Sequence, residues 1–248
     1  MSILVTRPSP AGEQLVNQLR ASGKSAWHLP LIHFLPGIDL PMLAERLTAL
    51  SHDDLLFIVS QHAIDYAHSW LLQQGITWPV RLRYFAIGRT SGLRLRSLSG
   101  LPVIYPHTHQ YETSEGLLSL PSLARIDGRR ALVLRGNRGR ELLKRTLLQR
   151  GVQVEYCECY RRYPITYDGE EQGRRLLSLG IKTLIMTSGE MLQQFYTLMP
   201  EYCHNYWLMR CQLIVVSERL AILAHQLGWK NIVVANVADN DALMRVLL

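Results

Sequence analysis

The sequence predicts an α/β protein made of two doubly wound domains, each built on a parallel sheet. Short apolar runs of strand length alternate with amphipathic helical segments along the chain. The order of these segments then repeats about 128 residues further on. With 248 residues, 48% of them hydrophobic, the chain is large enough for two domains of ordinary size.

The repeat is clearest in two phrases, "ILVTRPSPAGEQL" at 3–15 and "ALVLRGNRGRELL" at 131–143. Five of their thirteen positions agree, among them Arg7 with Arg135 and Glu13 with Glu141. "LLFIVSQHAIDYA" (55–67) parallels "TLIMTSGEMLQQF" (183–195), and the segments 85–106 and 214–235 correspond at an offset of 129. Ordered matches at a nearly constant offset indicate an ancient duplication.

In the first copy we expect a strand at 3–6 and a helix at 11–22. Ser9 is a suitable cap for this helix, and Pro10 suits its first position because proline has no N–H to leave unpaired. Gly23 can end the helix in the left-handed conformation.

In the second copy a strand at 131–135 leads to Asn137, which we expect to cap a helix that ends near Gly151. Ser60 and Ser188 each follow a buried strand and are expected to donate hydrogen bonds or to cap the next helix.

Ligands of such folds bind outside the carboxyl ends of the strands. The residues that end the repeated strands are therefore the candidate site: Arg7, Ser60, Gly88, Arg135, Ser188 and Ser217. If the strand ends of both domains faced one cleft, that arrangement would explain why the strand-helix segment occurs twice.

The charge of +7 is unevenly distributed. Residues 66–150 hold 14 of the 27 Lys and Arg but only 4 of the 20 Asp and Glu. Such a local excess suits an anionic partner, namely nucleic acid, phosphate or a polycarboxylate. A solvated basic face without a ligand is the alternative.

Several other classes are disfavoured. No run approaches roughly 18 apolar residues, and the start has no export signal, so we expect a cytoplasmic protein without membrane contact. The four cysteines are expected to be reduced, and no metal-ligand spacing is evident. No phosphate-binding glycine motif or nucleophile elbow occurs, and no recognised nucleic-acid-binding module is present.

The ordered set "ILVTRP", "LLFIVSQHA", "YFAIGRT", "ALVLRGNRGRELL", "CECYRR", "TSGEMLQQ", "VVSERLA" and "ADNDAL" resembles the uroporphyrinogen-III synthase family over essentially the whole chain. The likeness is greatest to the enterobacterial form. It implies two flavodoxin-like domains joined by a two-stranded linker (about 29–37 and 157–164) with the chain interleaved: 1–36 plus 164–248 form one domain, and 37–157 the other. Each strand-helix phrase would then pack with the later elements of the other repeat.

The resemblance also implies a reaction. The family cyclises hydroxymethylbilane, a linear tetrapyrrole with eight carboxylates, to uroporphyrinogen III, inverting the last ring through a spiro intermediate. It implies a monomer that needs no metal or organic cofactor, binds this small molecule and no nucleic acid, and works largely by orienting its substrate.

Residue by residue, Tyr160 matches the family tyrosine that assists loss of the substrate hydroxyl. The substrate contacts that the resemblance implies, together with the two strand-end arginines, are Arg7, Ser60, His62, Thr90, Ser91, Arg135, Thr187, Ser188 and Ser217. This chain departs from the family pattern at two of them. His62 stands where other members carry arginine, and Ser217 replaces a glycine.

Two alternatives from other classes remain at this point. A non-catalytic binder of an anionic ligand would bind tetrapyrroles without turnover. A basic nucleic-acid-binding protein would bind DNA or RNA with strong salt dependence.

Overall fold

A computed structural model describes residues 2–107, 112–235 and 237–247. The chain divides into two compact units. Unit 1 comprises Met1–His33 and Tyr163–Leu248, and unit 2 comprises Phe34–Arg162. That these units are separately folding domains stays a prediction.

Strands and helices alternate along the described chain. In chain order the strands are β1 (Ser2–Val5), β2 (Ser25–His28), β3 (Ile32–Pro36), β4 (Leu55–Ile58), β5 (Arg83–Ala86), β6 (Val103–Ile104), β7 (Arg130–Gly136), β8 (Gln153–Pro164), β9 (Thr183–Met186), β10 (Gln212–Val215) and β11 (Ile232–Val234). The helices are α1 (Ala11–Ala21), α2 (Leu43–Ala49), α3 (Gln61–Gln73), α4 (Arg89–Ser99), α5 (Ser114–Leu118), α6 (Leu142–Gln149), α7 (Gly169–Ser178), α8 (Gly189–Leu198), α9 (Glu201–Tyr206), α10 (Glu218–Gln226) and α11 (Asn240–Leu247).

Each unit is built on one sheet. The sheet of unit 1 has the order β11-β10-β9-β1-β2, with every neighbouring pair parallel. The other sheet has the order β3-β8-β7-β4-β5-β6, and its strands from β8 to β6 are also parallel. The predicted α/β class with two parallel sheets is confirmed.

The two repeats exchange their opening strands. β1, from the first repeat, lies beside β9 of the second repeat. β7, from the second repeat, lies beside β4 of the first. The interleaved chain that the family resemblance implies is therefore confirmed.

Both faces of each sheet are buried, which is why the strands read as continuous apolar runs rather than alternating ones. In β1, Leu4 packs into one hydrophobic cluster and its neighbours Ile3 and Val5 into another. In β4, Leu56 and Phe57 likewise belong to different clusters. Helices on both faces supply the rest of these cores, as doubly wound sheets require.

Two predicted helix caps are wrong. Pro10 occupies the position before α1, and the Ser9 hydroxyl donates to Glu13 Oε1 at 2.6 Å instead of capping the helix. The helix α6 begins only at Leu142, while Asn137 Oδ1 accepts a hydrogen bond from the Arg162 backbone N–H at 3.0 Å.

Other local predictions hold. Gly23 and Gly151 follow α1 and α6 with φ of 78° and 76°, in the left-handed region that glycine adopts without a steric penalty. All four cysteines are free and buried, in agreement with the expected reduced thiols. Across the described ranges, no helix combines the length and the apolar character needed to cross a bilayer.

Candidate active site

In unit 2, the carboxyl ends of the parallel strands bring Ser60, Gly88, Arg135 and Tyr160 to one edge of the sheet. Ser60 lies between β4 and α3 in an extended conformation, with φ of −163°. Its Oγ accepts a hydrogen bond from the Ala63 N–H at 3.2 Å, which confirms the predicted cap. The same hydroxyl donates to the phenol oxygen of Tyr160 at 3.2 Å.

The backbone at Gly136 fixes the position of the Tyr160 ring. The pairing of β7 with β8 shifts register between Arg135 and Gly136, so that Gly136 lies opposite Tyr160. A Cβ atom on Gly136 would lie 2.6 Å from Cζ of Tyr160 and 2.9 Å from its hydroxyl oxygen. Bulges of this kind commonly redirect a side chain near a functional site.

Aromatic rings surround Tyr160 on its other sides. Phe34 meets it edge-on with ring centroids 5.6 Å apart, and Tyr66 stacks at 6.2 Å. His62 lies 5.5 Å from Tyr160 and only 3.9 Å from Phe34, centroid to centroid. Tyr160 is 8% exposed, so these neighbours leave its ring little room to reorient.

The charge state of His62 follows from its surroundings. Burial lowers the pKa of His62 below its ordinary value, Asp65 opposes this shift, and the positive charge of Arg162 adds to it. A neutral imidazole offers hydrogen bonds rather than an ion pair. A neutral His62 therefore meets a carboxylate with a hydrogen bond and not with a positive charge.

Arg135 is a buried cation, 8% exposed. Its Nη1 donates to Glu141 Oε1 at 2.9 Å, its Nε donates to the Gly136 carbonyl at 3.2 Å, and its guanidinium lies 4.4 Å from the ring centre of Tyr156. The hydrogen bond from Arg135 lowers the pKa of the Glu141 carboxyl. Burial and the hydrogen bond to Glu141 raise the pKa of Tyr156 to about 12.

The candidates on α4 differ in accessibility. Thr90 is exposed, whereas Ser91 is buried beneath the first turn. Glu112 Oε1 accepts a hydrogen bond from the Arg89 N–H at 3.0 Å, and its carboxylate lies against Gly88. A carboxylate of the protein itself therefore occupies this turn.

In unit 1, the corresponding edge presents Arg7, Thr187, Ser188 and Ser217. Ser188 caps α8 and Ser217 caps α10, each accepting from the N–H three residues on, at 3.2 and 3.3 Å. Thr187 is half-buried beside Ser188. Arg7 donates to Asn240 Oδ1, and burial lowers the pKa of Arg7.

Sequence reasoning missed the partners of the two strand-end arginines, namely Glu141 and Tyr156 for Arg135 and Asn240 for Arg7. One signal was available for Glu141, because the repeat itself conserves a glutamate six residues after each arginine. Among the described residues, no group of three or more His, Cys, Asp or Glu side chains could hold a metal ion.

Fold and site together define an α/β protein of two interleaved parallel-sheet units, whose strand ends carry hydroxyl, guanidinium and phenol groups. The family model described as uroporphyrinogen-III synthase HemD matches residues 13–245. The chain belongs to the uroporphyrinogen-III synthase family.

Curated relatives match over the full length of both chains. The chain is 56% identical to uroporphyrinogen-III synthase of Salmonella typhimurium and 55% identical to that of Escherichia coli, with 100% of each chain covered. Among solved structures, a mutant uroporphyrinogen III synthase from Thermus thermophilus matches with a TM-score of 0.65 at 17% identity, covering 100% of this chain and 97% of that one. The enzyme from Helicobacter pylori matches with a TM-score of 0.54 at 15% identity, over 99% and 97% of the two chains. At these identities the solved structures establish the fold alone.

Proposed function

We propose that this chain cyclises hydroxymethylbilane to uroporphyrinogen III, with inversion of ring D through a spiro intermediate. The observation that carries the proposal is the full-length identity of 55–56% to relatives named uroporphyrinogen-III synthase. The position of Tyr160 and the charge distribution described below support it further.

Tyr160 is the group that assists departure of the terminal hydroxyl. Its phenol oxygen accepts a hydrogen bond from Ser60, so the phenol proton is available to the leaving group. Proton donation releases water and leaves an azafulvene cation. The substituted carbon of the last pyrrole then attacks this cation to form the spiro intermediate. That intermediate fragments to a second azafulvene cation and recloses with ring D inverted, and the newly bonded ring D carbon loses its proton to give the neutral product.

Unit 2 provides most of the charge that attracts the substrate. Residues 34–162 hold 17 of the 27 Lys and Arg but only 11 of the 20 Asp and Glu. A ligand with eight carboxylates is attracted to such a surface. The free bilane closes at its unsubstituted carbon, so the task of the protein is to hold the chain with the substituted carbon presented.

The remaining strand-end residues are proposed substrate contacts. Hydroxyl and imidazole groups donate hydrogen bonds to carboxylates and accept them from pyrrole N–H groups, while the arginines neutralise carboxylates. The proposed contacts are Arg7, Ser60, His62, Thr90, Ser91, Arg135, Thr187, Ser188 and Ser217. The chain is proposed to act on this small molecule as a cytoplasmic monomer, without nucleic acid and without a metal or organic cofactor.

The decisive experiment supplies freshly generated hydroxymethylbilane to the purified protein, oxidises the products and separates the isomers by chromatography. Predominantly type III product is expected. Type I product alone, from well-folded protein, would refute the proposal because type I forms spontaneously.

The Tyr160→Phe variant tests the acid role. We expect kcat to fall by about 10²-fold or more, with KM little changed, since proton donation contributes roughly 10²–10⁴-fold in comparable enzymes. Tyr84→Phe is the matched control, because the Tyr84 hydroxyl is bonded to the Pro79 carbonyl (2.8 Å) within the fold. Equal turnover in Tyr160→Phe and wild-type protein would exclude the phenol from catalysis.

A further inference from the structure

Arg135 is the starting point, because its environment is unusual for an arginine. Arg135 and Asp54 are the charged residues that the described part of the chain buries. Burying a guanidinium costs several kcal/mol unless a well-placed anion compensates it. Within the described residues Arg135 has one anionic partner, Glu141, and that carboxylate reaches it through a single nitrogen.

Glu141 is poorly suited to be a permanent partner. Its side chain is 66% exposed, whereas that of Arg135 is 10% exposed. It precedes α6 at the end of the loop that follows β7. The other oxygen of Glu141 accepts a hydrogen bond from the Tyr156 hydroxyl at 2.9 Å. Because the carboxylate is largely exposed, water replaces both partners when it leaves, and an incoming carboxylate takes its place on Arg135.

A cavity of about 190 Å³ lies against Arg135. At the liquid volume of roughly 30 Å³ per water, this space corresponds to about six water molecules, which is the size of a short carboxyalkyl chain. Apolar side chains line part of it, namely Val59, Ile87, Val133 and Leu143.

The polar lining of the cavity is cationic and includes the catalytic candidate. Arg135, Arg138 and Arg140 border it, although Arg140 is paired with the Glu115 carboxylate at 2.7 and 3.1 Å, and Tyr160 contributes to the same wall. An apolar lining with cationic groups beside it matches a methylene chain that ends in a carboxylate. The acetate and propionate side chains of a pyrrole have this composition.

We propose that one carboxyalkyl side chain of the bilane enters this cavity and that its carboxylate replaces Glu141 on Arg135. Glu141 is then a stand-in that keeps the buried guanidinium neutralised while the site is empty. Because Glu141 must be displaced, binding depends on a substrate carboxylate that lies beside Tyr160. The position of this carboxylate selects which ring of the bilane lies against the phenol. The assignment rests on the proposed function, because it concerns the substrate of that reaction.

Glu141→Gln tests this exchange directly. Glutamine keeps the shape and the acceptor oxygen but removes the charge that competes with substrate. We expect the KM for hydroxymethylbilane to fall by up to about fivefold with kcat nearly unchanged, which is the range expected for losing one partly exposed ion pair. The dissociation constant of uroporphyrin III, measured by fluorescence titration, is expected to fall by a similar factor.

Glu155→Gln is the matched control. Glu155 pairs with Arg130 at 3.2 Å near the amino end of β7, away from the strand ends, so KM and porphyrin affinity should stay at wild-type values. In an Arg135→Met background, Glu141→Gln should have no further effect on KM, since the two carboxylates no longer compete. The Glu141→Gln comparison decides the matter even if Arg135→Met does not fold.

The two proposals fail differently. If wild-type protein makes type III product but Glu141→Gln binds uroporphyrin III no more tightly and shows an unchanged or raised KM, the carboxylate exchange is wrong and the proposed function stands. If wild-type protein makes only type I product, the proposed function itself is wrong.

Discussion

At the scale of single residues, the orientation of the Tyr160 ring depends on the glycine at position 136. Gly136 has no Cβ, and the phenol occupies the space that a Cβ would fill. Ser60 and the three neighbouring rings then fix the remaining freedom of the side chain. The position of Tyr160, the proposed acid, is therefore determined partly by backbone pairing between β7 and β8.

Gly136→Ala should uncouple Tyr160 from the site without unfolding the protein. The added methyl would come within 2.6 Å of Cζ, so the ring must move. We expect kcat to fall at least tenfold, because displacement of a reacting group by about 1 Å can cost 10²-fold. In the Tyr160→Phe background Gly136→Ala should lower kcat hardly any further. Additive losses in the double variant would show that Gly136 acts by another route.

The burial of His62 makes the free energy of unfolding depend on pH, and it determines the sign of that dependence. Its pKa is lower in the folded protein than its ordinary value of 6.5, so the unfolded chain binds more protons as the pH falls through that value. The free energy of unfolding should therefore decrease between about pH 7 and pH 5 and be free of this penalty above 7. Urea titrations at several pH values measure it.

His62→Phe should flatten this dependence, because phenylalanine keeps the ring packed on Phe34 but does not titrate. His52→Phe is the control, since the His52 side chain is 79% exposed. A His62→Phe profile that parallels the wild type between pH 5 and 7 would assign the acid sensitivity to other groups.

At the scale of elements, serine joins strand to helix at three equivalent places. Ser60, Ser188 and Ser217 each adopt an extended conformation and cap α3, α8 and α10. One side chain thus stabilises the start of the helix and lies at the strand end where substrate is proposed to bind.

Substitution of Ser188 separates these two roles. Ser188→Ala should lower the free energy of unfolding by about 1 kcal/mol through loss of the cap. Ser188→Asp should restore stability, because aspartate caps equally well, but should raise KM since its charge repels a polycarboxylate. Thermal unfolding and steady-state kinetics on both variants provide the two readouts. An Asp variant with wild-type KM would place Ser188 outside the substrate contacts.

The sequence determines some features of these elements locally and others not. Strands buried on both faces, the caps by Ser60 and Ser188 and the closing glycines depend on neighbouring residues and were predictable. Asn137 was misassigned because its partner is the backbone of Arg162, 25 residues away. The pairing of β1 with β9 could not follow from the repeat, since an exchanged and an unexchanged arrangement have the same local pattern; only the family resemblance implied it.

For the candidate site, the sequence likewise predicted the residues at strand ends but not all of their partners. Strand-end residues followed from topology, because parallel strands bring their carboxyl ends to one edge. The partners of Arg135 did not follow, since Glu141 and Tyr156 meet the guanidinium only after β7, β8 and the intervening loop have folded. The repeated spacing of six residues between arginine and glutamate signals Glu141, but no spacing in the sequence signals Tyr156.

At the scale of the whole molecule, the charge is concentrated in one part of the chain. Residues 34–162 account for most of the excess of Lys and Arg over Asp and Glu. If this excess attracts the bilane, KM should rise about three- to tenfold between 20 and 300 mM KCl, because salt screens exposed charges over roughly 10 Å at 0.1 M. The kcat from the same titration is the internal control and should change little. A KM independent of salt would argue against long-range attraction.

The exchange of strands also sets an order of events during synthesis. The ribosome delivers every residue of unit 2 before Tyr163 emerges, whereas β1 waits for β9 at Thr183–Met186. At roughly 5–20 residues per second, this wait is on the order of 10–40 s. For most of that time the sheet of unit 2 is itself incomplete. Only between the synthesis of Arg162 and that of Thr183, about 1–4 s at the same rate, is every residue of unit 2 present while β1 still lacks β9. A message truncated between codons 163 and 183 would release unit 2 complete and β1 without its partner.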